Sequence, residues 1–316
     1  MSLRDFLTGK TSEQKQAETL ANARHEDIMA GIRGGHVPAS VQSRLNQTAT
    51  GRLPWMATLT PAELLIARSH GFTPIAAISA TCWLHYGFSW TFGHQQGWEA
   101  ALRRLADEAR ACGANAVLDV KMRTIPLQVD RSMDFTLVGT AVKVAGLPPS
   151  SDPVISTLPA LEFIKLLEAD IIPTGLAVGA NYEWLRDWTG SMVDPRGNFF
   201  NTEASRLSQF WREIRESAYA NLLQNARSRG NGVLAHTNFS QMFEFERDEQ
   251  RNGQDIKVKD YLARHIIIAT TLEARRGMTL PHNVRIVVDL HAGKTPLAGT
   301  TPHHQTYTTN ENRGAI

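Results

Sequence analysis

The sequence predicts an α+β fold in which two β-α-β-β modules follow one another, each an antiparallel three-stranded sheet packed on one long helix. An N-terminal helix and an extra C-terminal strand complete the predicted architecture. Three observations predict it: two segments with the same order of features begin at Thr60 and Leu158, a long amphipathic helix pattern follows each, and each helix ends in a Gly-Asn turn before strands.

Residues 1–55 form a polar arm. Residues 11–32 are rich in Gln, Ala, Glu and Lys and carry only a sparse apolar stripe, which predicts an exposed or docking helix. Gly34 and Gly35 end it, because paired glycines leave the backbone too free to hold a helix. The apolar, folded part begins near Trp55.

Both modules start with a proline at a short helix, Pro61 in TPAELL and Pro159 in LPALEF. Proline suits a first helical position because its missing N–H has no partner there. A strand-like run follows, and then an aromatic-rich connection, residues 83–92 in the first module and 182–200 in the second.

The long helices show apolar residues at alternating spacings of four and three, which places them on one helix face. These residues are Trp98, Leu102, Leu105, Ala109 and Cys112 in the first module and Leu207, Trp211, Ile214, Ala218 and Leu222 in the second. Arginines and acids occupy the opposite faces, so each helix is expected to cover an apolar layer with one side only.

The turns after these helices match. Gly113 and Gly230 fit the left-handed position that ends a helix, and Asn115 and Asn231 follow closely. Strands are predicted at residues 116–123 and 233–240, and the last strands at 134–144 and 260–274. In the first of these strands, alternation predicts one shared face for its apolar residues, Ala116, Leu118, Val120 and Met122.

The predicted boundaries follow from these patterns. The first module covers residues 56–146, a proline-rich linker 147–157, and a second, more divergent copy 158–276. Residues 277–316 hold one further strand, at 283–290, and a tail of Thr, Pro, His and Asn that we expect to be flexible.

The stretch EARACGANAVLDVKM followed by FTLVGTAVKV resembles the YbjQ-like family, whose members carry a heavy-metal-binding label. The resemblance covers roughly residues 60–145, and the second half looks like a degenerate copy. It implies a dodecin-like fold and a homo-oligomeric ring, commonly a pentamer, but no established set of ligands. The geometry of such a module also favours an oligomer, because one helix covers only one sheet face and leaves the other face and the edges open.

The composition limits the classes of partner that the protein is expected to bind. Thirty-three Lys and Arg against 31 Asp and Glu give a net charge of +2, too small to attract nucleic acid or anionic membrane over a distance. No apolar run reaches the length of a membrane span, and the N-terminus has no apolar signal-peptide core. We therefore expect a cytoplasmic protein whose two cysteines are buried and reduced.

Residues for chemistry are sparse. The sequence contains neither a Gly-x-Ser-x-Gly elbow nor a phosphate-binding loop. Its eleven histidines form no compact metal-binding pattern. His85, His94 and His236 are the weak metal candidates, through a site shared between subunits. No cofactor is predicted, a divalent metal stays an alternative, and the chain is expected not to be an enzyme; an inter-subunit active-site pocket is the second alternative.

The aromatic connections are the most unusual feature of the sequence. They supply candidates for packing between subunits or for docking another protein, because clustered Trp and Tyr carry much of the energy of interfaces. The candidates are Trp83, Tyr86, Trp90, Tyr182, Trp184 and Trp188. The sequence thus predicts a non-catalytic, ring-forming scaffold or ligand-binding protein, with shared metal binding as the alternative.

Overall fold

Six helices and seven strands make up the part of the chain that the computed structural model describes, residues 11–67, 71–85, 87, 89–123, 132–145, 151–186, 205–251 and 253–274. Residues Met1–Arg276 form one compact unit. The strand predicted at 283–290 and the tail lie outside the described residues.

The helices are α1 Ser12–Gly34, α2 Ala39–Ala49, α3 Pro61–Ala67, α4 Trp90–Ala111, α5 Ala160–Glu168 and α6 Ser205–Ala226. The strands are β1 Phe72–His85, β2 Ala116–Arg123, β3 Ser132–Val144, β4 Val154–Ile155, β5 Ile171–Arg186, β6 Gly232–Arg251 and β7 Gln254–Ala274. The fold is therefore mixed α+β, as predicted.

The N-terminal arm contains two helices where the sequence predicts one. Helix α1 starts at a reciprocal cap, in which Thr11 Oγ1 accepts from the Gln14 N–H and Gln14 Oε1 accepts from the Thr11 N–H. It ends at Gly35, whose φ of 64° is the left-handed conformation expected there. Helix α2 was missed, because Val41 and Leu45 are its only large apolar residues, yet Leu45 is fully buried in the core.

Two sheets follow the arm. The first has the strand order β1-β3-β2-β4 and the second the order β5-β7-β6. Pairing is antiparallel throughout, except that β4 runs parallel to β2. In each sheet the last strand of a β-α-β-β sequence lies between the other two, and a 22-residue helix connects the first strand to the second.

The second sheet is covered on both faces. One face packs on α6 through Ala177, Ala218, Leu222, Ile267 and Ala269. The other face packs against α4 of the first half, because Leu176, Ala180, Tyr182, Leu262, Ile266 and Ile268 belong to the same apolar cluster as Trp98 and Leu105. The first half thus supplies a neighbour for the sheet face that one helix leaves open.

The two long helices hold the edge strand beneath them by matching contacts. In each half, one helix side chain accepts a hydrogen bond from a strand N–H, and another, one turn earlier, donates to the carbonyl two residues further along the strand. The pairs are Glu108 with Ser79 N and Arg104 with Thr81 O, and Asn225 with Val178 N and Asn221 with Ala180 O.

Matching asparagines close both halves. Asn115 Nδ2 donates to Val144 O at 2.9 Å, and its Oδ1 accepts from Val144 N at 2.7 Å. Asn231 makes the same two bonds with Ala274, at 3.0 and 3.1 Å. The predicted signature turns therefore tie the start of β2 to the end of β3, and the start of β6 to the end of β7.

The aromatic connections begin as strands. β1 continues through Trp83 to His85, and β5 continues through Trp184 to Arg186, so the prediction of a loop starting at residues 83 and 182 was wrong. Both strands pair with the central strand of their sheet up to their last residue, β1 with β3 and β5 with β7. The hairpin of β6 and β7 is also longer than predicted, because residues 246–251, most of which are charged, pair with residues 254–259.

The predicted alternation in β2 fails after Leu118. A bulge separates Leu118 from Lys121, and Asp119 has a φ of 52°. Ala116 and Leu118 therefore face one apolar cluster, whereas Val117 and Val120 face the other. One extra residue reverses the side on which every later residue lies.

Candidate functional site

A buried polar network joins the two halves where α4 crosses β5. Thr91, near the start of α4, accepts a hydrogen bond on Oγ1 from the Tyr182 N–H at 3.2 Å. One turn later, His94 Nδ1 lies 2.8 Å from the Tyr182 hydroxyl. His94 is 1% exposed and Tyr182 is 7% exposed. The contact therefore lies within the core.

The hydrogen bonds fix the tautomer of His94. The Trp98 indole N–H donates to His94 Nε2, and an indole nitrogen can only donate. Nε2 therefore carries no proton, and Nδ1 carries the proton that it donates to the Tyr182 oxygen. Burial lowers the pKa of His94 well below its usual range, and the positive charge of Arg264 lowers that pKa further. The imidazole is neutral at physiological pH.

The network continues into the second sheet. The Tyr182 hydroxyl donates to Met133 Sδ at 3.0 Å, and Arg264 Nη1 lies 3.3 Å from the same sulfur. Arg264 is 1% exposed, and its Nε donates to Gln241 Oε1 at 3.1 Å. The guanidinium also lies over the rings of Phe239 and Phe243, 5.8 and 5.2 Å from their centroids, which stabilises a cation away from water.

A cleft of about 440 Å³ opens beside this network. Helix α4 forms one wall, α6 forms the other, and β5 forms the floor. Phe92, Leu102 and Val178 give it apolar surface, and the lining also includes the charged residues Glu99 and Arg229. The cleft thus combines apolar contacts with a carboxylate and a guanidinium.

The predicted metal candidates do not come together among the described residues. His85 lies exposed at the end of β1, and His94 is buried with both ring nitrogens hydrogen-bonded. His236 lies on β6, but its side chain is outside the described residues. In the described part of the chain, no group of three or more His, Cys, Asp and Glu side chains could hold a metal ion.

The cysteines are two separate core thiols. Cys82 is 5% exposed and Cys112 is 7% exposed, and they form no disulfide. Burial raises the pKa of both thiols, which disfavours the thiolate that metal binding or nucleophilic attack needs. The residues described in one chain therefore do not fit a heavy-metal site.

A family model matches part of this region. Residues 89–145, which cover α4, β2 and β3, match the model of the YbjQ family, whose description reads "Putative heavy-metal-binding". Residues 89–145 are YbjQ-like. The resemblance seen in the sequence is thereby confirmed for this segment. Comparison with curated proteins and with solved structures returned no match.

The YbjQ-like segment contributes His94, Trp98 and Met133 to the network, whereas Tyr182 and Arg264 lie beyond it in the chain. The description of the family suggests a metal-binding or small-ligand role, and the YbjQ family is not a known enzyme family. None of the described helices has the length and apolar character that crossing a membrane requires.

The six aromatic candidates take different positions. Trp90, the first residue of α4, and Tyr182 meet across the two halves of the chain, with ring centroids 6.2 Å apart. Trp83 and Trp184 are 51% and 42% exposed, and Trp184 also contacts the ring of Phe245. Tyr86 and Trp188 lie outside the described residues.

Sequence reasoning missed most of the network. His94 and Trp98 are one helical turn apart, a spacing that could have indicated their contact. Arg264 could have been noticed as a charge within the apolar strand YLARHIII. Nothing in the sequence indicates that Met133 and Gln241 are its neighbours, because those contacts join distant strands.

Proposed function

We propose that this chain is a non-catalytic, self-assembling protein that binds a small polar ligand in the cleft between α4 and α6. The cleft carries the proposal. Its volume of about 440 Å³ falls in the range of small-molecule sites, roughly 300–1,000 Å³. It also joins apolar walls to a few polar groups, the usual composition of a site that orients a ligand.

The polar groups of the cleft differ in whether their hydrogen bonds are already made to the backbone of the chain. Asn221 and Asn225 already bond the edge of β5, and Arg229 Nη1 donates to Leu176 O at 2.7 Å. Glu99 accepts from the Gln95 amide at 3.1 Å, and both residues are exposed. Glu99 and Gln95 can exchange their mutual bond for one to a ligand, so we expect a ligand with hydrogen-bond donors and an apolar part.

We further propose that the two halves arose by tandem duplication. Three features support this: the same order of the three β-α-β-β strands in each sheet, the matching asparagine bonds, and the matching helix-to-edge contacts. Thr58 and Thr157 add a further pair, since each bonds the hydroxyl of a central-strand threonine, Thr140 or Thr270. Ring assembly, a pentameric count and a cytoplasmic location remain predictions.

Thermal-shift screening with a panel of small polar metabolites tests ligand binding. A ligand at 100 times its dissociation constant stabilises the protein by about 2.7 kcal/mol, which is readily detected. Ser228→Trp narrows the cleft from an exposed position, and Ser43→Trp places the same side chain on exposed α2 as a control. We expect at least one compound that stabilises the wild type and Ser43→Trp but not Ser228→Trp. Equal stabilisation of all three would contradict the proposal.

Heavy-metal binding at a site shared between subunits is the second candidate, and the family description favours it. Elemental analysis of protein purified with and without added zinc or copper tests it. Stoichiometric metal that survives gel filtration supports a shared site, because the described residues of one chain offer no ligand set. Metal-free protein after both preparations excludes it.

A further inference from the structure

The segment before the second half adds a strand to the first sheet. Residues 154–158 run parallel to β2: Val154 N donates to Asn115 O at 3.0 Å, and Ser156 N donates to Val117 O at 2.9 Å. Ile155 is left 8% exposed, and Val117 and Leu118 of β2 are fully buried. The first sheet therefore has no open edge along this part of β2.

The segment before the first half is its counterpart. Thr58-Leu59 repeats Thr157-Leu158, and Thr58 and Thr157 bond their central-strand threonines in the same way. Trp55 and Met56 therefore stand where Val154 and Ile155 stand in the second half. Trp55 is 54% exposed and Met56 is 69% exposed. These apolar residues lie on a segment without helix or strand structure, and it pairs with no strand among the described residues.

The edge that such a segment would join is also open. Asn231 matches Asn115, so Val233 and Leu234 of β6 match Val117 and Leu118 of β2. β6 is the outer strand of its sheet, and Val233 and Leu234 are half-buried where their counterparts are fully buried. An open edge of this kind accepts an extended segment through main-chain hydrogen bonds.

A second surface repeats the same asymmetry. Counting from the matched pair Arg104 and Asn221, Thr91 and His94 of α4 correspond to Ser208 and Trp211 of α6. Their partner Tyr182 corresponds to Trp83 of β1, which is 51% exposed.

The exposed face of α6 also matches a covered face of α4. Ala106 is 7% exposed, whereas its counterpart Leu223 is 50% exposed, and the neighbouring Tyr219 is 45% exposed. The surface that α4 buries inside the chain is therefore exposed on α6.

We propose that residues 55–58 of one copy add as a parallel strand to β6 of a second copy, while α6 of that second copy packs on β1 of the first. The inference rests on the proposed duplication and names the surfaces of the proposed assembly. The contact is head-to-tail, so each copy keeps one free surface of each kind until a ring closes. One bond has no counterpart. Glu63 accepts from the N–H of Ala160, the first residue of α5, whereas Pro61, the first residue of α3, has no N–H.

Light scattering after gel filtration, with native mass spectrometry, tests the inference on the full chain. Met56→Glu and Tyr219→Glu each place a charge on one of the two surfaces, at positions exposed in the single chain. Leu20→Glu is the matched control, since Leu20 is 72% exposed on α1 and belongs to neither surface. We expect the wild type and Leu20→Glu to be oligomeric. For Met56→Glu and Tyr219→Glu we expect the dissociation constant of the oligomer to rise about tenfold or more, and tenfold corresponds to about 1.4 kcal/mol.

Mixing the two weakened variants gives the sharpest result. Met56→Glu retains an intact β6 and α6. Tyr219→Glu retains an intact β1 and an intact segment of residues 55–58. One unaltered interface can therefore form between the two variants, and we expect assembly to stop at a heterodimer. Oligomers that neither substitution affects overturn this interface and leave assembly standing. A wild type that is monomeric at high concentration overturns both proposals.

Discussion

The paired asparagines allow the value of one hydrogen-bonded turn to be measured twice within the same chain. Asn115 and Asn231 each make two bonds to one backbone residue, Val144 and Ala274. The two sites differ in burial, since Asn115 is 6% exposed whereas Asn231 is exposed. Truncation to alanine removes the same bonds in both places but leaves different surroundings.

We expect Asn115→Ala to lower the free energy of unfolding by about 2–4 kcal/mol. Two lost hydrogen bonds account for roughly 1–3 kcal/mol, and a buried Val144 N–H and C=O without partners add to this. Asn231→Ala is expected to cost about 1 kcal/mol or less, because water reaches the groups that it uncovers. Asn115→Asp should fall between wild type and Asn115→Ala, since a carboxylate still accepts from Val144 N but cannot donate to Val144 O.

Urea unfolding monitored by tryptophan fluorescence provides the measurement, with seven tryptophans as reporters. Only variants with the wild-type dependence on urea concentration are compared, because a changed slope indicates a changed unfolding reaction. Equal losses for Asn115→Ala and Asn231→Ala would refute the reasoning, since burial would then not set the cost of the missing bonds.

Three further predictions concern the core. Tyr182→Phe leaves His94 Nδ1–H without its acceptor and should cost about 1–3 kcal/mol in urea unfolding, and an unchanged midpoint would contradict the assigned tautomer. Burial first, and then the charge of Arg215, lowers the pKa of His265 to about 4. The unfolded chain therefore binds the proton more readily, so the contribution of His265 to the free energy of unfolding is intact above pH 6.5 and decreases as the pH falls to 4. Thermal unfolding measures this, and a stability that rises as the pH falls from 6.5 to 4 would contradict the lowered pKa. Gly97→Ala directs a methyl group into the buried ring of Phe135 and should cost about 1–3 kcal/mol, and a melting temperature equal to that of the wild type would show that the ring can move aside.

The sequence predicted the elements whose side chains repeat with a clear period. Helix α4 was recognised from Trp98, Leu105 and their neighbours, and β2 was placed at its observed bounds because a Gly-Ala-Asn turn and an apolar run mark its start. Strand β4 was read as part of a linker, since three prolines precede Val154 and Ile155 and the strand is only two residues long. Its pairing depends on β2, a partner that local sequence does not reveal.

The candidate site was predicted less well, for the same reason. His94 was selected as a weak metal ligand from its residue type, and Tyr182 as an interface residue from its aromatic neighbours. Their hydrogen bond joins residues 88 positions apart in the chain. The environment of an imidazole, and therefore its proton and its availability to a ligand, is set by such distant contacts. Residue type alone cannot supply them.

The bond between His94 and Tyr182 also bears on how the protein is made. When a ribosome has released only the first sheet, Phe135 covers His94 and Trp98 from one side, and the other side of α4 faces water until β5 and β7 emerge. Apolar surface uncovered during synthesis invites aggregation and chaperone binding. A nonsense mutation in the later half of the gene should therefore yield a product that the cell degrades rather than a stable fragment.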